Sequence, residues 1–497
     1  MSDAPLKLGA TALHGGLVTG TAQVVKIGLQ LLSIVVLARL LLPEDFGLVA
    51  SVAPIIAFIT LFQDLGLQQA VIQKQDISHR QLNQVFWVMG LVGVISVVIV
   101  VATAPAAATF YRDPRITMIA IAATLPLFFG SLTAMPMSLM TRNLKFTRLA
   151  VNDVLAAAFG FFAAIAAAYQ GLGYWALIIG TAVTSFVLLV STWIAARWIP
   201  DLPDLKLDRQ ILSFGANLTG FNLVNFFSRN LDNILIGRFS GAVELGYYDR
   251  AYKLILFPLQ NINQPLSRVM IPLLSRIQTD KPRFRDVYMQ TNWVLAAIMI
   301  PGIAALTMTS DQVISLLFGS QWAPSAPIFA WLGLAGLVQP VSSTTGWIFI
   351  CQGKTKSLFR WGLWSSSVTV VAFIIGMQWG AVGVAAAYAI SSYTFRVPGL
   401  AFLLHRIGPI SAFDYLGIHA VFLGSSLLAW FVFETLPETL NGASDPISIL
   451  TALGLSYTGA LIATAMIPPS RRAILSTITS ILQSRKSSLV PQAATDQ

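Results

Sequence analysis

Six basic side chains fall inside segments that are otherwise apolar enough to cross a membrane. They are Lys26, Arg229, Arg250, Lys253, Arg268 and Arg396. A Lys or Arg at the bilayer centre costs roughly 2.5–3.5 kcal/mol on insertion scales, so together they would cost on the order of 10 kcal/mol or more against lipid. In a wet cavity the same cations would bind an anionic group, such as a pyrophosphate or a uronate.

Carboxamide side chains are concentrated in the same part of the sequence, where they provide ligands for hydroxyl groups. Such side chains are poor lipid-facing residues and good hydrogen-bond partners for sugars. The pattern predicts a hydrated, cationic lumen in which Lys26, Arg229, Arg250, Lys253 and Arg268 bind the anion. The polar residues predicted to line that lumen are Gln23, Gln30, Asn222, Asn225, Asp232, Gln260, Asn261 and Gln264.

Some of these charges also have a purely structural interpretation. Arg229 and Asp232 are three residues apart, so on one helix face they could simply neutralise each other. Asp249 and Lys253, four apart, could do the same. Both interpretations remain open at the level of sequence.

The remaining cations differ in how deep in the membrane they are expected to lie. Arg268 and Arg396 are near enough to helix ends to extend toward the interface. Lys26 is about twelve residues into its segment, roughly 18 Å deep at 1.5 Å per residue, where this is harder. Asp64 and Asp153 are candidate protonation or cation sites for coupling, although such residues more often cap helix ends.

The composition is that of a membrane protein. Only 10% of the 497 residues are charged, against about 25% in soluble domains. Cys351 is the single cysteine, so no internal disulfide is expected, and the four histidines are scattered, so neither a metal site nor a cofactor is expected. The N-terminus has no pattern of a cleaved signal peptide.

Fourteen apolar segments are long enough to cross a bilayer core of roughly 30 Å. They cover residues 14–38, 45–64, 83–107, 116–138, 149–169, 173–196, 211–235, 246–273, 288–309, 325–350, 360–377, 380–402, 414–433 and 447–467. An even number places both termini on one side. The predicted fold class is an all-α polytopic membrane protein with about fourteen transmembrane helices.

The basic residues between these segments predict the orientation. Of the 31 Lys and Arg residues, 21 fall on the side of the termini and four on the opposite side. This positive-inside bias predicts a bacterial inner-membrane protein with both termini in the cytoplasm. It also accounts for the net charge of +10 without a nucleic-acid partner. The outward loops are too short for a catalytic domain, so no enzyme is expected.

An internal repeat is suggested by a constant offset of 199 positions. Arg39 and Gly47 correspond to Arg238 and Gly246 at that offset. The same offset matches the polar face of segment 1 with that of segment 7: Gln23 with Asn222, Lys26 with Asn225, Gln30 with Arg229 and Ser33 with Asp232. It spans six segments, so it predicts two parallel six-helix repeats around a central cavity.

The repeat suggests a division of the chain into domains. An N-terminal lobe would cover residues 1–200, a C-terminal lobe 201–406 and two additional helices 407–468. Residues 469–497 would form a basic tail. Its Ile474, Leu475, Ile478, Ile481 and Leu482 have the spacing of an amphipathic helix on the anionic inner leaflet, with a solvated tail as the alternative.

A set of short motifs in fixed order resembles one family over nearly the whole chain. The motifs are Leu42–Gly47, Asp64–Gly66, Pro136–Phe146, Asp232–Arg238, Gly246–Tyr248, Leu317–Trp322 and Gln352–Thr355. They resemble the polysaccharide transporter family of the multidrug/oligosaccharidyl-lipid/polysaccharide superfamily, especially the Wzx-type exporters related to the colanic-acid and succinoglycan ones.

That resemblance implies a flippase working by alternating access. Its substrate would be an anionic oligosaccharide unit on a polyprenyl pyrophosphate, moved to the outer leaflet for lipopolysaccharide or exopolysaccharide biosynthesis. Membrane lipids and a polymerase or co-polymerase of the pathway would be its partners. The alternatives are a cation-coupled drug antiporter of the same superfamily, which would favour buried carboxylates, and a flippase for the peptidoglycan precursor.

Overall fold

The computed structural model describes residues 4–64, 67–73, 76–203, 226, 229–437, 446–476 and 479, and these residues contain helices and no strand. The chain divides into two compact units, residues 1–250 and 251–497. The first unit contains α1 (Ala4–Leu40), α2 (Pro43–Asp64), α3 (Leu67–Gln73), α4 (His79–Tyr111), α5 (Arg115–Ala122), α6 (Thr124–Arg142), α7 (Phe146–Tyr169), α8 (Trp175–Ala196) and α9 (229–239).

Helix α10 (Ala242–Arg276) begins in the first unit and continues into the second. The second unit then contains α11 (Lys281–Met308), α12 (Ser310–Phe318), α13 (Ser325–Cys351), α14 (Thr355–Gly376), α15 (Gly380–Ser391), α16 (Val397–Ile407), α17 (Ala412–Glu434), α18 (Pro446–Met466) and α19 (468–476). A π-helical turn, Ser392–Arg396, joins α15 to α16.

Eleven stretches in the described part of the chain are long and apolar enough to cross a membrane. One of them, Thr355–Ile407, contains two of the fourteen predicted segments, because α14 and α15 are separated only by a 3-10 turn. Predicted segment 246–273 is helical within α10 but is not among the eleven, and 211–235 lies mostly outside the described residues. The all-α membrane fold is confirmed, while the count of fourteen stays a prediction.

Small residues allow the membrane helices to pack closely. A Cβ atom on Gly160 of α7 would lie 2.7 Å from the carbonyl oxygen of Gly180 on α8, and one on Gly180 would lie 2.7 Å from the Cβ of Ala164. Gly376 and Gly383 bring α14 and α15 together in the same way. Such close backbone approach is the usual basis of helix association in lipid, where burial of apolar surface gives little driving force.

The second unit contains a hydrogen-bonded polar core between α11 and α13. The Thr344 hydroxyl donates to Asn292 Oδ1 at 2.7 Å, and the Tyr288 hydroxyl lies 2.9 Å from the same threonine oxygen. All three residues are buried. Because each polar group finds a partner, their burial is tolerated and the two helices are fixed in register.

The described part of the tail is helical. Gln290 Nε2 of α11 donates to the Ser476 hydroxyl of α19 at 2.8 Å, and Leu475 is 55% exposed. Ile478, Ile481 and Leu482 lie outside the described residues. The amphipathic tail helix therefore stays a prediction beyond residue 476.

Arg115, at the start of α5, ties together the ends of three helices. Its guanidinium donates to Asp113, after α4, at 2.7–3.1 Å, and to Glu44 in the first turn of α2 at 2.5 Å. The hydrogen bonds from Arg115 hold the pKa of Asp113 below its ordinary value. A carboxyl group with a lowered pKa stabilises the fold above its ordinary pKa and loses that effect as the pH falls through its folded-state pKa.

We therefore expect Arg115→Gln to lower the free energy of unfolding by about 1 kcal/mol near pH 7, the usual upper value for exposed ion pairs. The difference between variant and wild type should disappear as the pH falls below about 4, the ordinary pKa of a carboxyl group. Thermal unfolding of both proteins in detergent between pH 7 and pH 3 measures this. A difference that stays constant over the range would show that the carboxylates do not contribute.

Candidate functional site

Lys26 and Asp153 form an ion pair between two membrane-spanning helices of the first unit. Lys26 Nζ on α1 donates to Asp153 Oδ2 on α7 at 2.7 Å, and each side chain is 30% exposed. Gln23 and Gln30, three residues before and four after Lys26, are exposed on the same helix. The pair is thus the charged centre of a polar stripe on α1 and remains accessible to a ligand.

The ion pair changes the interpretation of both residues. Sequence analysis assigned Lys26 to anion binding and Asp153 to coupling, whereas the structure places them in contact. Ion pairs that solvent can reach contribute about 1 kcal/mol at most to stability, so this pair, with each side chain 30% exposed, is not needed to hold α1 and α7 together. An anionic ligand could therefore compete with Asp153 for the ammonium group of Lys26 at small cost to the fold.

Gly47 and Gly246, which correspond to each other in the predicted repeat, lie at a close crossing of α2 and the start of α10. A Cβ atom on Gly47 would overlap the carbonyl oxygen of Ala242, and one on Gly246 would overlap that of Pro43. Pro43 and Ala242 are themselves separated by 199 positions. Gly47 thus contacts Ala242, while Gly246, its equivalent in the repeat, contacts Pro43, the equivalent of Ala242. A two-fold axis produces such reciprocal contacts.

Asp232, on α9, is held inside the first unit. Its carboxylate accepts the Tyr248 hydroxyl at 2.9 Å and the backbone N–H of Asn233 at 2.8 Å. Asp232 is buried, whereas Arg229 is exposed. Asp232 therefore has a structural role beside Tyr248, and the exposed guanidinium of Arg229 can meet a ligand.

Arg250 is enclosed by protein on all sides. Its Nε and Nη2 donate to Asp249 Oδ2 at 3.1 and 2.7 Å, and its guanidinium lies 4.3 Å from the ring centroid of Phe46. Both charged residues are buried. The sequence predicted Arg250 as a substrate-binding residue and left a pairing of Asp249 with Lys253 open, and neither the contact of Arg250 with Asp249 nor its stacking on Phe46 was predicted. Binding of substrate by Arg250 would require it to leave these contacts.

Helix α10 presents an exposed polar stripe in the second unit. Lys253, Gln260, Gln264 and Arg268 are all exposed, and their spacing of seven, four and four places them near one face. The amide of Asn261 is less accessible, because its Nδ2 donates to the Phe257 carbonyl at 2.9 Å. Exposed cations and amides on such a helix are costly against lipid, so this face favours water.

Three prolines interrupt the hydrogen bonding of α10. Pro258, Pro265 and Pro272 are spaced seven residues apart within the helix. A proline has no backbone N–H, so each leaves the carbonyl four residues earlier without its helical donor. In a membrane helix this is tolerated where the freed carbonyl finds water or a polar neighbour, which agrees with the exposed polar stripe.

Arg396 is at the end of the π-helical turn, surrounded by hydroxyl-bearing side chains. Its Nε donates to Ser365 at 3.2 Å and its Nη1 to Ser392 at 3.3 Å, and it lies 5.1 Å from the ring centroid of Tyr388. The partners Ser365 and Tyr388 were missed by sequence reasoning, because they come from different turns and helices. π-helical turns are rare and often found at functional sites.

Some predicted site residues lie beyond the described part of the chain. Asn222 and Asn225 are outside it, and nothing is described of the Asp64 side chain at the end of α2. Among the residues that are described, no group of three or more His, Cys, Asp or Glu side chains could hold a metal ion.

The fold is that of known transporters. The chain superposes on the lipid II flippase MurJ in an inward closed conformation with a TM-score of 0.71, covering 91% of this chain and 98% of that one at 16% identity. It superposes on an inward-facing multidrug resistance transporter of the MATE family with a TM-score of 0.59, covering 79% of this chain and 98% of that one at 15% identity. The chain therefore shares the fold of these two transporters.

Sequence comparison identifies the family. The family model described as polysaccharide biosynthesis protein matches residues 36–327, more than half of the chain. This protein therefore belongs to the polysaccharide biosynthesis protein family, and the predicted resemblance is confirmed.

Two relatives cover most of the chain. The lipopolysaccharide biosynthesis protein WzxC of Escherichia coli (strain K12) is 26% identical over 76% of this chain and 78% of its own length. The succinoglycan biosynthesis transport protein ExoT of Rhizobium meliloti (strain 1021) is 24% identical over 94% of this chain and 95% of its own length. Both names refer to the biosynthesis of surface or secreted polysaccharides.

Proposed function

We propose that this protein is a flippase for polyprenyl-pyrophosphate-linked oligosaccharide units. It moves them from the inner to the outer leaflet of the bacterial inner membrane by alternating access, for surface polysaccharide or exopolysaccharide biosynthesis. The observation that carries the proposal is the presence of accessible cations and amides at Lys26 on the membrane-spanning helix α1 and along the long helix α10. The names of the relatives WzxC and ExoT support it.

The physical task is to carry a charged, hydroxylated head through hydrocarbon. Transfer of each unpaired hydroxyl or amide to an apolar medium costs several kcal/mol, and transfer of a bare anion costs far more. A polar path that offers cations to the pyrophosphate and amides to the sugar hydroxyls removes most of that cost. The polyprenyl tail needs no such path and stays in lipid.

We assign each residue a role along that path according to how accessible its side chain is. Lys26, Arg229, Lys253 and Arg268 would neutralise the pyrophosphate or acidic sugars, because their side chains are accessible. The amides that would hold the hydroxyls are Gln23, Gln30, Gln260 and Gln264. Asn222, Asn225 and Asn261 belong to the same proposed set, and Arg250 and Asp232 would support it from buried positions.

We further propose that Asp153 acts as an internal substitute for the substrate anion. Its carboxylate lies 2.7 Å from the ammonium group of Lys26, and an arriving pyrophosphate would take its place there. The released carboxylate could then bind a proton or a cation, which is how Asp153 would enter coupling. Asp64 is the second candidate for that role.

The proposed orientation has both termini in the cytoplasm, as the positive-inside bias favours. Flipping makes and breaks no covalent bond, so we propose that the protein is not an enzyme. The exported unit would be passed to a polymerase or co-polymerase of the same pathway on the outer face of the membrane.

The test is the sidedness of lipid-linked oligosaccharide in cells that lack this protein. We expect the oligosaccharide-pyrophosphate-lipid to accumulate on the inner leaflet and the surface or secreted polysaccharide to disappear, and the trapped glycan then identifies the substrate. An unchanged lipid pool combined with increased sensitivity to a small compound would instead support an antiporter.

A further inference from the structure

A cavity at one end of the first unit is lined mainly by cations. It has a volume of about 430 Å³ and lies between the α6–α7 connection and the end of α8. Its lining residues are Leu144, Lys145, Thr147, Arg148 and Arg197. The volume is within the usual range for small-ligand sites. The charge distribution predicts that this end of the helices is cytoplasmic.

The cations of this cavity have no acidic partner in the described parts of the chain. None of the ion pairs found there involves Lys145, Arg148 or Arg197. Helix α7 begins beside them at Phe146 without a side-chain cap and without an acidic residue in its first turn. The positive end of a helix dipole therefore adds to three positive side chains, and the cavity favours an anion.

Exposed apolar side chains and two tryptophans lie beside the cavity. Leu144 is 71% exposed, and Ile194 and Ile199, on either side of Arg197, are 70% and 79% exposed. Trp193 and Trp198 lie near each other at the same level, with ring centroids 6.1 Å apart. Tryptophans gather at the boundary between lipid and water, and exposed apolar side chains beside cations fit a ligand with a charged head and a hydrocarbon tail.

We propose that this cavity binds the phosphodiester headgroup of an anionic phospholipid of the inner leaflet. Lys145, Arg148 and Arg197 contact the phosphate oxygens, and the first-turn N–H groups of α7 provide further donors. Leu144 and Ile199 contact the upper part of the acyl chains. Basic pockets between helices on the cytoplasmic side are a recurring form of lipid recognition. None of its lining residues belongs to the set proposed for the oligosaccharide path.

The test measures binding of single lipids to the purified full-length protein in detergent by native mass spectrometry. The probes are phosphatidylglycerol, phosphatidylcholine and inorganic phosphate. We expect the wild type to bind its first phosphatidylglycerol at least tenfold more tightly than phosphatidylcholine. Each basic residue that contacts the phosphate is expected to contribute about fivefold in affinity. The triple variant Lys145→Gln, Arg148→Gln, Arg197→Gln should therefore bind about 100-fold more weakly, and Arg148→Gln alone about fivefold.

A matched triple variant provides the control. Arg276→Gln, Lys356→Gln, Arg360→Gln removes the same charge from exposed positions elsewhere and should change affinity less than threefold. Equal loss in both triples, or no loss in the first, would overturn the proposal, because general surface charge would then explain binding. Displacement of the lipid by millimolar inorganic phosphate would assign the site to a free anion instead. Unchanged melting temperatures verify that all variants are folded.

Discussion

Lys26→Met is expected to abolish export of the lipid-linked oligosaccharide, while the protein still inserts in the membrane at its normal level. The side chain keeps its length and loses the ammonium group that would meet the pyrophosphate. Because both side chains of the ion pair with Asp153 are 30% exposed, its loss should cost only about 1 kcal/mol of stability. A charged hydrogen bond to substrate is worth more, about 1.5–3 kcal/mol, or a factor of roughly 10 to 150 in rate. Polysaccharide production by cells that carry the variant measures the effect.

A double variant separates the transport role from a structural one. Lys26→Met combined with Asp153→Leu replaces the ion pair by two apolar side chains of similar size. If the pair serves only packing between α1 and α7, the double variant should restore both protein level and export. If Lys26 binds the substrate, the protein level is normal in both variants and the double variant does not restore export. Lys356→Met, at an exposed position on α14, is the control for loss of a lysine and should export normally.

Gly47→Ala is expected to prevent normal folding of the first unit, although it adds a single methyl group. That methyl group would overlap the Ala242 carbonyl oxygen, which belongs to the backbone at the start of α10 and cannot rotate away. Overpacking of this kind costs about 1–3 kcal/mol, and here relief requires displacement of a helix. We expect little monodisperse protein in size-exclusion chromatography and a lowered melting temperature.

The crossing of α2 and α10 is reciprocal, so a substitution on either helix should have the same effect. Gly246→Ala should have the same effect as Gly47→Ala, because its methyl group would overlap the Pro43 carbonyl oxygen. The double variant should be less than twice as unstable, since a displacement that relieves one overlap also relieves the other. Gly28→Ala, in α1 with no atom near the added methyl group, should behave as wild type. Normal yield of Gly47→Ala would contradict the close crossing.

The helices themselves could be predicted because the signal for them is local. Long apolar runs specify membrane helices wherever they occur, so α4, α7, α8 and α13 coincide with predicted segments to within a few residues. Helix α10 was also predicted, although its polar residues make it less apolar than the eleven stretches that could cross a membrane. The predicted division of the chain near residue 200 stays untested, since residues 204–225 are outside the described part.

The site could be predicted only as far as residue types allow. Lys26 and Asp153 were both selected as unusual charges in apolar surroundings, yet their contact joins positions 127 apart and depends on how α1 packs on α7. No local pattern contains that information. The repeat predicted more of the site, because the offset of 199 matches Gly47 with Gly246, and both residues lie at the close crossing of α2 and α10.

Contacts between adjacent residues are not predicted by helix-face spacing. That spacing places Asp249 near Lys253, but it does not show that Arg250 folds back to donate to the neighbouring Asp249 and stacks on Phe46. The sequence showed only that three basic residues, Lys145, Arg148 and Arg197, lie on the side of the termini. Their common cavity appears only when the ends of α6, α7 and α8 are in place.

The three prolines of α10 have a mechanical consequence. Bending a regular helix stretches or breaks backbone hydrogen bonds, whereas in α10 one bond is already missing behind each of Pro258, Pro265 and Pro272. Resistance to bending is therefore low at three levels, two helical turns apart. Curvature can be shared among the three, so that each joint turns through a small angle and the helix changes shape without unwinding.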